Sequence, residues 1–262
     1  MWNEGEATMP KIVSIHSFRP GTGKSQLTAN IATILAAAGQ RVAIIDSDVH
    51  SPSIQWLFGL PEGAITHSLN DFLWGKCGIE STAVNLNPTV RHPLKGQVYL
   101  VPFATRNSTI DYDISLLSDS FELLINTLRL DVLLIDTQPG VQFAALPSIA
   151  FSDIQVLVLQ LREQDLQGTG VVIDISEQLG ISEMVLIVNQ IPEHYNLREV
   201  QQKIEQIYQR PVLAALPYDE LLADYNQASL LLERTSSNIF VVEHPDHPIS
   251  LLLTNVAATL TA

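Results

Sequence analysis

A single cysteine, Cys77, leaves the chain unable to build an internal disulfide framework or a thiolate metal cage. Charged residues are also scarce, at 16% of 262, and basic ones scarcer, with 14 Lys and Arg against 28 Asp and Glu. The net charge of -14 repels nucleic acid and anionic lipid overall, and it is also an ordinary way of staying soluble. No apolar run approaches the ~18 residues a membrane-spanning helix requires. The N-terminus, Met1-Trp2-Asn3-Glu4-Gly5-Glu6, is acidic and lacks the basic-then-apolar order of a signal peptide. These absences point to a soluble cytoplasmic protein.

What is present is apolar material, 46% of the chain, enough for one sizeable core. Short β-rich runs alternate with helical stretches, the pattern of βαβ units. The expected strands are 12–17, 41–46, 98–101, 131–136, 154–161, 184–189 and 211–215. Several are nearly continuous in Val, Ile and Leu, as in strands covered on both faces. The fold class expected is therefore α/β, a doubly wound, mostly parallel sheet with helices on both faces. After Lys24, the residues Leu27, Ile31, Ile34 and Leu35 fall on one helical stripe that Gly39 is placed to end. Leu197, Val200, Ile204 and Ile207 repeat the device, with a polar face that reads as solvated surface. Residues 1–10 read as a flexible extension and 11–262 as a single domain, with 61–96 its most irregular part.

Between the first strand and the first helix lies Ser17-Phe18-Arg19-Pro20-Gly21-Thr22-Gly23-Lys24-Ser25, in the context a phosphate-binding loop needs. Backbone N–H groups from Gly21 to Ser25, with the helix N-terminus, can point at phosphate oxygens. The glycines allow close approach. Lys24 would neutralise β/γ-phosphates, and the Ser25 hydroxyl would ligate Mg²⁺. The strict pattern asks for Gly where this chain has Phe18, and a bare Gly-Lys-Ser occurs by chance, so the neighbouring motifs carry weight.

Two acidic motifs supply it. In Ile44-Ile45-Asp46-Ser47-Asp48 the carboxylates sit two residues apart at a strand end and share a direction. In Leu133-Leu134-Ile135-Asp136-Thr137-Gln138-Pro139-Gly140, an apolar strand ends on an Asp, a usual place to support Mg²⁺, and the Gly140 N–H can meet a γ-phosphate. Each alone could be a cap or turn aspartate. Three motifs in order converge at the carboxyl ends of the strands, where open α/β sheets bind ligands.

With these motifs in place the chain resembles the MinD/ParA family of deviant-Walker-motif ATPases, from Pro10 to the last helix. The family loop reads Gly-Lys-Gly-Gly-x-Gly-Lys-(Ser/Thr). Asp46 and Asp48 match its switch I element, Asp136 to Gly140 its Walker B and switch II element, and Asn189 its adenine-recognising Asn. Pro217 and Asp219 fall in the loop that closes over the base. The resemblance implies ATP and Mg²⁺ as ligands, with Gly21, Thr22, Gly23, Lys24, Ser25, Gln26 and Gly140 around the nucleotide. Lys24 would contact phosphate, Asp48 would orient the attacking water, and Ser25, Asp48 and Asp136 would serve the metal. It also implies an ATP-bound homodimer, slow hydrolysis stimulated by a partner, and an unidentified regulatory or cargo protein. Arg19 replaces the signature Lys that reaches the other subunit's nucleotide; an arginine finger in trans is expected, with a solvent-facing Arg as the alternative. Pro20 replaces a Gly and removes an N–H donor, so a scaffold that has lost hydrolysis through Phe18 and Pro20 and acts by occupancy stays open, as does, more remotely, an ATP-dependent small-molecule enzyme.

Other features carry less. His244-Pro245-Asp246-His247-Pro248 reads as a turn, His16 as a packed strand residue, and an iron–sulfur role fails on the lone Cys77. Trp56, Phe58, Phe72 and Trp74 read as core before partner surface. The C-terminal segment from Pro248 has no basic residue and reads as a docked helix, so no membrane anchor is seen. Only Arg198, Lys203, Arg210 and Arg234 lend weak support to nucleic-acid binding.

Overall fold

The computed structural model describes residues 9–48, 52–61, 63–103, 114–141, 149–223 and 237–262. The extension before Met9 and Arg234 lie outside the described residues. Strands β1 (Lys11–His16), β2 (Arg41–Asp46), β3 (Val84–Asn85), β4 (Gln97–Pro102), β5 (Val132–Asp136), β6 (Ile154–Leu159), β7 (Glu183–Ile191) and β8 (Val212–Pro217) form one sheet. Its order is β3-β4-β2-β5-β1-β6-β7-β8, and only the β3–β4 pair is antiparallel.

Among the described residues the helices are α1 (Lys24–Ala37), α2 (Ile54–Leu57), α3 (Leu69–Leu73), α4 (Ile114–Leu128), α5 (Glu163–Gln178), α6 (Leu197–Tyr208), α7 (Phe240–Glu243) and α8 (Pro248–Leu260). Strand alternation sends Val13, Ile15, Val42 and Ile44 to one face, under Leu27, Ile31 and Leu35 of α1 and Leu253 and Val256 of α8. Ala43, Ile45, Leu133 and Ile135 go to the other, under Leu117, Phe121 and Leu124 of α4. Further along that face, Leu157, Leu159 and Leu186 meet Val172 of α5 and Val200 and Ile204 of α6. Each fully buried aliphatic side chain contributes about 1.5–3 kcal/mol. The sheet is doubly wound.

Helix ends follow local chemistry. Gly39, at φ 110°, ends α1, with the Gln40 N–H reaching back to the Leu35 carbonyl at 3.1 Å. Asn196 caps α6 by accepting from the N–H groups of Arg198 and Glu199. The terminal helix is docked as expected, with Ile249, Leu253, Val256 and Leu260 buried. Phe58 is core, Phe72 is half-buried, and Trp56 and Trp74 remain exposed. The irregular stretch contains α3, two 3₁₀ turns and β3, which is two residues long and leaves no periodicity to read. Strand β6 ends at Leu159, two residues short of the expectation, and that difference sets the position of Gln160.

The register places Asp46 directly beside Asp136, and Ile15 on the other side of Asp136. Strand order therefore gathers the loop after β1 and both acidic motifs at one edge of the sheet, with β6 and β7 flanking β1 on the far side.

Candidate functional site

The loop from Ser17 to Gly23 turns β1 into α1. Gly21 and Gly23 take φ values of 80° and 94°, and Gly23 is the residue at the helix start. A Cβ at Gly23 would lie 2.5 Å from Asn189 Nδ2, so both conformation and space demand glycine there. The first turn of α1 holds no acidic residue, which leaves its positive end open to an anion. Lys24 is buried in that turn.

Two amides brace the loop from neighbouring strands. Asn189 Nδ2 donates to the Thr22 carbonyl at 2.8 Å, while Asn189 Oδ1 accepts from the Gln190 N–H at 2.9 Å. Gln160 Nε2 donates to the Gly21 carbonyl at 3.1 Å and to Gln190 Oε1 at 2.6 Å. Gln190 holds a positive φ of 56° to reach this position. Sequence reasoning missed Gln160 and Gln190; neither belongs to a motif, and their roles follow only from where β6 and β7 end.

The acidic motifs divide in role. Asp46 is buried and accepts from the N–H groups of Asp48, Ser53 and Ile54 at 3.1–3.2 Å, so it ties the start of α2 to the end of β2. Burial raises its pKa well above the ordinary carboxylate value, and the neighbouring Asp136 adds to the rise. Asp48 is half-buried. Asp136 is 1% exposed, and neither carboxylate oxygen has a hydrogen-bond partner. Burial raises its pKa to about 6 against the opposing pull of Lys24. The Ser25 and Thr28 hydroxyls lie close enough to favour its charged form without completing a hydrogen bond.

That unmet carboxylate bears on a metal. A buried anion without donors is costly unless a cation completes it. Mg²⁺ takes oxygen ligands and is commonly held by one or two protein oxygens plus phosphates. Asp136 beside Ser25, next to an open helix N-terminus, fits that demand. Among the described residues no three His, Cys, Asp or Glu side chains cluster to hold a metal alone, so the remaining ligands would come from nucleotide and solvent.

His16 is a fixture, as expected. Thr137 Oγ1 donates to the Ile15 carbonyl at 3.0 Å and so must accept from His16 Nδ1 at 2.6 Å. Burial and the nearby Lys24 lower its pKa to about 3, which keeps the ring neutral. The Gly140 N–H, expected to meet a γ-phosphate, donates to the Ser17 carbonyl at 2.9 Å.

Beyond Gly23 opens a cavity of about 280 Å³, walled by Leu27, Leu222, Phe240 and Pro217 and edged by Gln26 and Asn189. Asp219 stands at its rim. Its Oδ1 accepts from the Leu222 N–H at 2.8 Å, and its Oδ2 lies 3.4 Å from His247 Nε2. His247 thereby ties this rim to α8, whose first turn it caps through Nδ1.

Arg19 and Phe18 are set apart from the other site residues. Arg19 Nη1 donates to Gln164 Oε1 at 2.7 Å on α5 of the same chain. The Phe18 ring occupies the space that any Cβ at Gly168 would need. Phe18 and Gly168 are thus a matched pair, and each explains the other's departure from a standard loop or helix. Alanine in a helix interior is ordinarily worth about 0.8–1 kcal/mol over glycine. Gly168→Ala should instead destabilise this chain by about 1–3 kcal/mol. In a Phe18→Ala background the same change should stabilise it, a reversal of sign read by urea unfolding.

The fold and site define a P-loop nucleotide-binding α/β protein. The chain belongs to the CobQ/CobB/MinD/ParA nucleotide binding domain family, whose profile matches residues 13–231. A putative septum site-determining protein MinD of Guillardia theta is 28% identical over 236 residues, covering 87% of this chain and 84% of that protein. MinD from Pyrococcus horikoshii, solved in complex with Mg-ADP, superposes with a TM-score of 0.76 at 22% identity, covering 96% of each chain. MinD in the MinC:MinD cell division complex of Aquifex aeolicus gives a TM-score of 0.77 at 22% identity, covering 95% of each chain. No helix among the described residues is long and apolar enough to cross a membrane.

Proposed function

We propose that this chain is a Mg-ATP-dependent switch ATPase of MinD/ParA type, pairing around nucleotide to control another protein. The observation that carries the reading is the partnerless Asp136 carboxylate beside Lys24 and Ser25, at the N-terminus of a helix with no acidic residue in its first turn. Ser25 and Asp136 would hold Mg²⁺, which neutralises phosphate charge when bound. Backbone N–H groups of residues 21–25 cradle the phosphates, and Lys24 supplies the buried cation. Asp48, half-buried two residues past the end of β2, would orient the attacking water. The cavity edged by Asn189, Pro217 and Asp219 accepts the base. The Mg-ADP in the Pyrococcus relative and the MinC bound to the Aquifex relative support a nucleotide and a protein partner here. Hydrolysis in such a switch is slow and rises when the partner binds.

Calorimetric titration with ATP in Mg²⁺ and in EDTA tests the ligand. Light scattering with a non-hydrolysable analogue tests pairing. The expected outcome is saturable, Mg²⁺-dependent uptake and an analogue-driven dimer; a monomer throughout would end the switch reading. Two observations favour a second reading, a scaffold acting by occupancy. The Gly140 N–H is committed to Ser17, and Pro20 has no N–H to offer. Tight ATP uptake with no phosphate release, even after Pro20→Gly, would select that reading.

A further inference from the structure

Helix α8 lends Leu253 to the wall of the cavity beyond Gly23, and its first turn reaches the rim as well. His247 stands at the N-cap of α8, with Pro248 as the next residue. Its Nδ1 accepts from the Ile249 N–H at 3.3 Å, so the ring carries its proton on Nε2. That Nε2 lies 3.4 Å from Asp219 Oδ2, while Asp219 Oδ1 is already engaged by the Leu222 N–H. Both side chains are 23% exposed, so water screens the contact only in part. A second contact fixes the imidazole. Its ring meets Phe240 edge-on, with centroids 5.0 Å apart and planes at 86°, and Phe240 walls the cavity. Phe240 is held in turn, because the buried Asn30 of α1 accepts from the Val241 N–H at 2.9 Å.

We propose that α8 takes part in reading the base, with His247 as the positioning residue that holds Asp219 as an acceptor at the rim. The inference rests on the reading above that this cavity takes the base of the nucleotide. An ionised carboxylate only accepts, and its complement on adenine is the exocyclic amine. With Oδ1 bound to Leu222 and Oδ2 drawn to His247, the carboxylate is kept in one orientation, ready for that amine. Without the imidazole donor, Oδ2 is free to turn towards water, and the amine loses an aligned acceptor. A purine that lacks the amine leaves the fixed acceptor unmet, which is the source of discrimination.

Equilibrium binding of ATP and of purine riboside triphosphate, which differs only in lacking the amine, tests the assignment in Mg²⁺. Wild type should prefer ATP by about tenfold or more. His247→Asn keeps a good helix cap but is too short to reach Asp219. That variant should melt as wild type does, while its preference for ATP falls about threefold or more. His247→Gln can place an amide N–H near the position of Nε2 and should recover most of the preference. A cavity merely loosened at α8 would lower both affinities alike and leave their ratio unchanged. An unchanged ratio in His247→Asn, or a lost ratio that His247→Gln does not recover, overturns the role of His247. Equal affinity of wild type for the two triphosphates overturns it too, yet leaves nucleotide binding standing; no uptake of either removes the reading on which it rests.

Discussion

Asp136→Asn should melt about 5–10 °C above the wild-type chain at pH 8 without nucleotide. Asp136 is 1% exposed, and both its oxygens lack hydrogen-bond partners. Its pKa in the folded chain is raised to about 6, from 3.8, chiefly by burial. The folded state therefore holds its proton more tightly than the unfolded state. The associated stability is fully present below about pH 4 and is lost as pH rises towards 6, a total of about 3 kcal/mol. Asparagine keeps the shape and removes the charge. It also relieves Asp46, whose own rise in pKa owes part to Asp136. The difference between variant and wild type should shrink towards zero by pH 4. Scanning calorimetry across pH 4–8 checks the trend, and a variant that melts below wild type at pH 8 would show that Asp136 is already compensated. The stabilised variant should lose the Mg²⁺-dependent part of nucleotide binding, because the destabilising charge is the one proposed to serve the cation.

The features legible in the sequence are those that local chemistry dictates. The apolar runs ending on Asp46 and Asp136 mark the strands and where they end, because a parallel strand buried on both faces has few other ways to be written. Gly23 was readable as a loop glycine, and its closeness to Asn189 supplies a second reason for it. What stayed hidden depends on neighbours distant in sequence. Gln160 meets Gly21 across 139 residues, and nothing in a lone Gln at a strand end announces that. Phe18 departs from the loop pattern, and the room for its ring comes from Gly168, 150 positions on. Arg19 was expected to reach outward; its contacts with Gln164 and Asp165 depend on where α5 runs, and that helix has too weak a polar-apolar division to read. The pairing of Asp46 with three N–H groups likewise separates it from Asp48, although the two look equivalent in the motif.

Lys24→Ala should weaken nucleotide binding by about 100-fold or more, the expected consequence of removing one partner of a buried charge interaction. Lys24 is only 7% exposed, so its ammonium acts where water screens little. Lys24→Met, which keeps most of the stem, should fail equally, because charge and not packing is what the phosphates lose. The same variants should be less stable than wild type without nucleotide. Lys24 is the group that most strongly draws the Asp136 pKa down, and removing it leaves that buried carboxylate, already beside Asp46, with less compensation. Adding Asp136→Asn to Lys24→Ala should restore the melting temperature while leaving binding lost. Calorimetric titration and thermal unfolding on the single and double variants separate the two effects. Recovery of binding in the double variant would mean that Lys24 serves only to balance Asp136, and would remove it from the phosphate site.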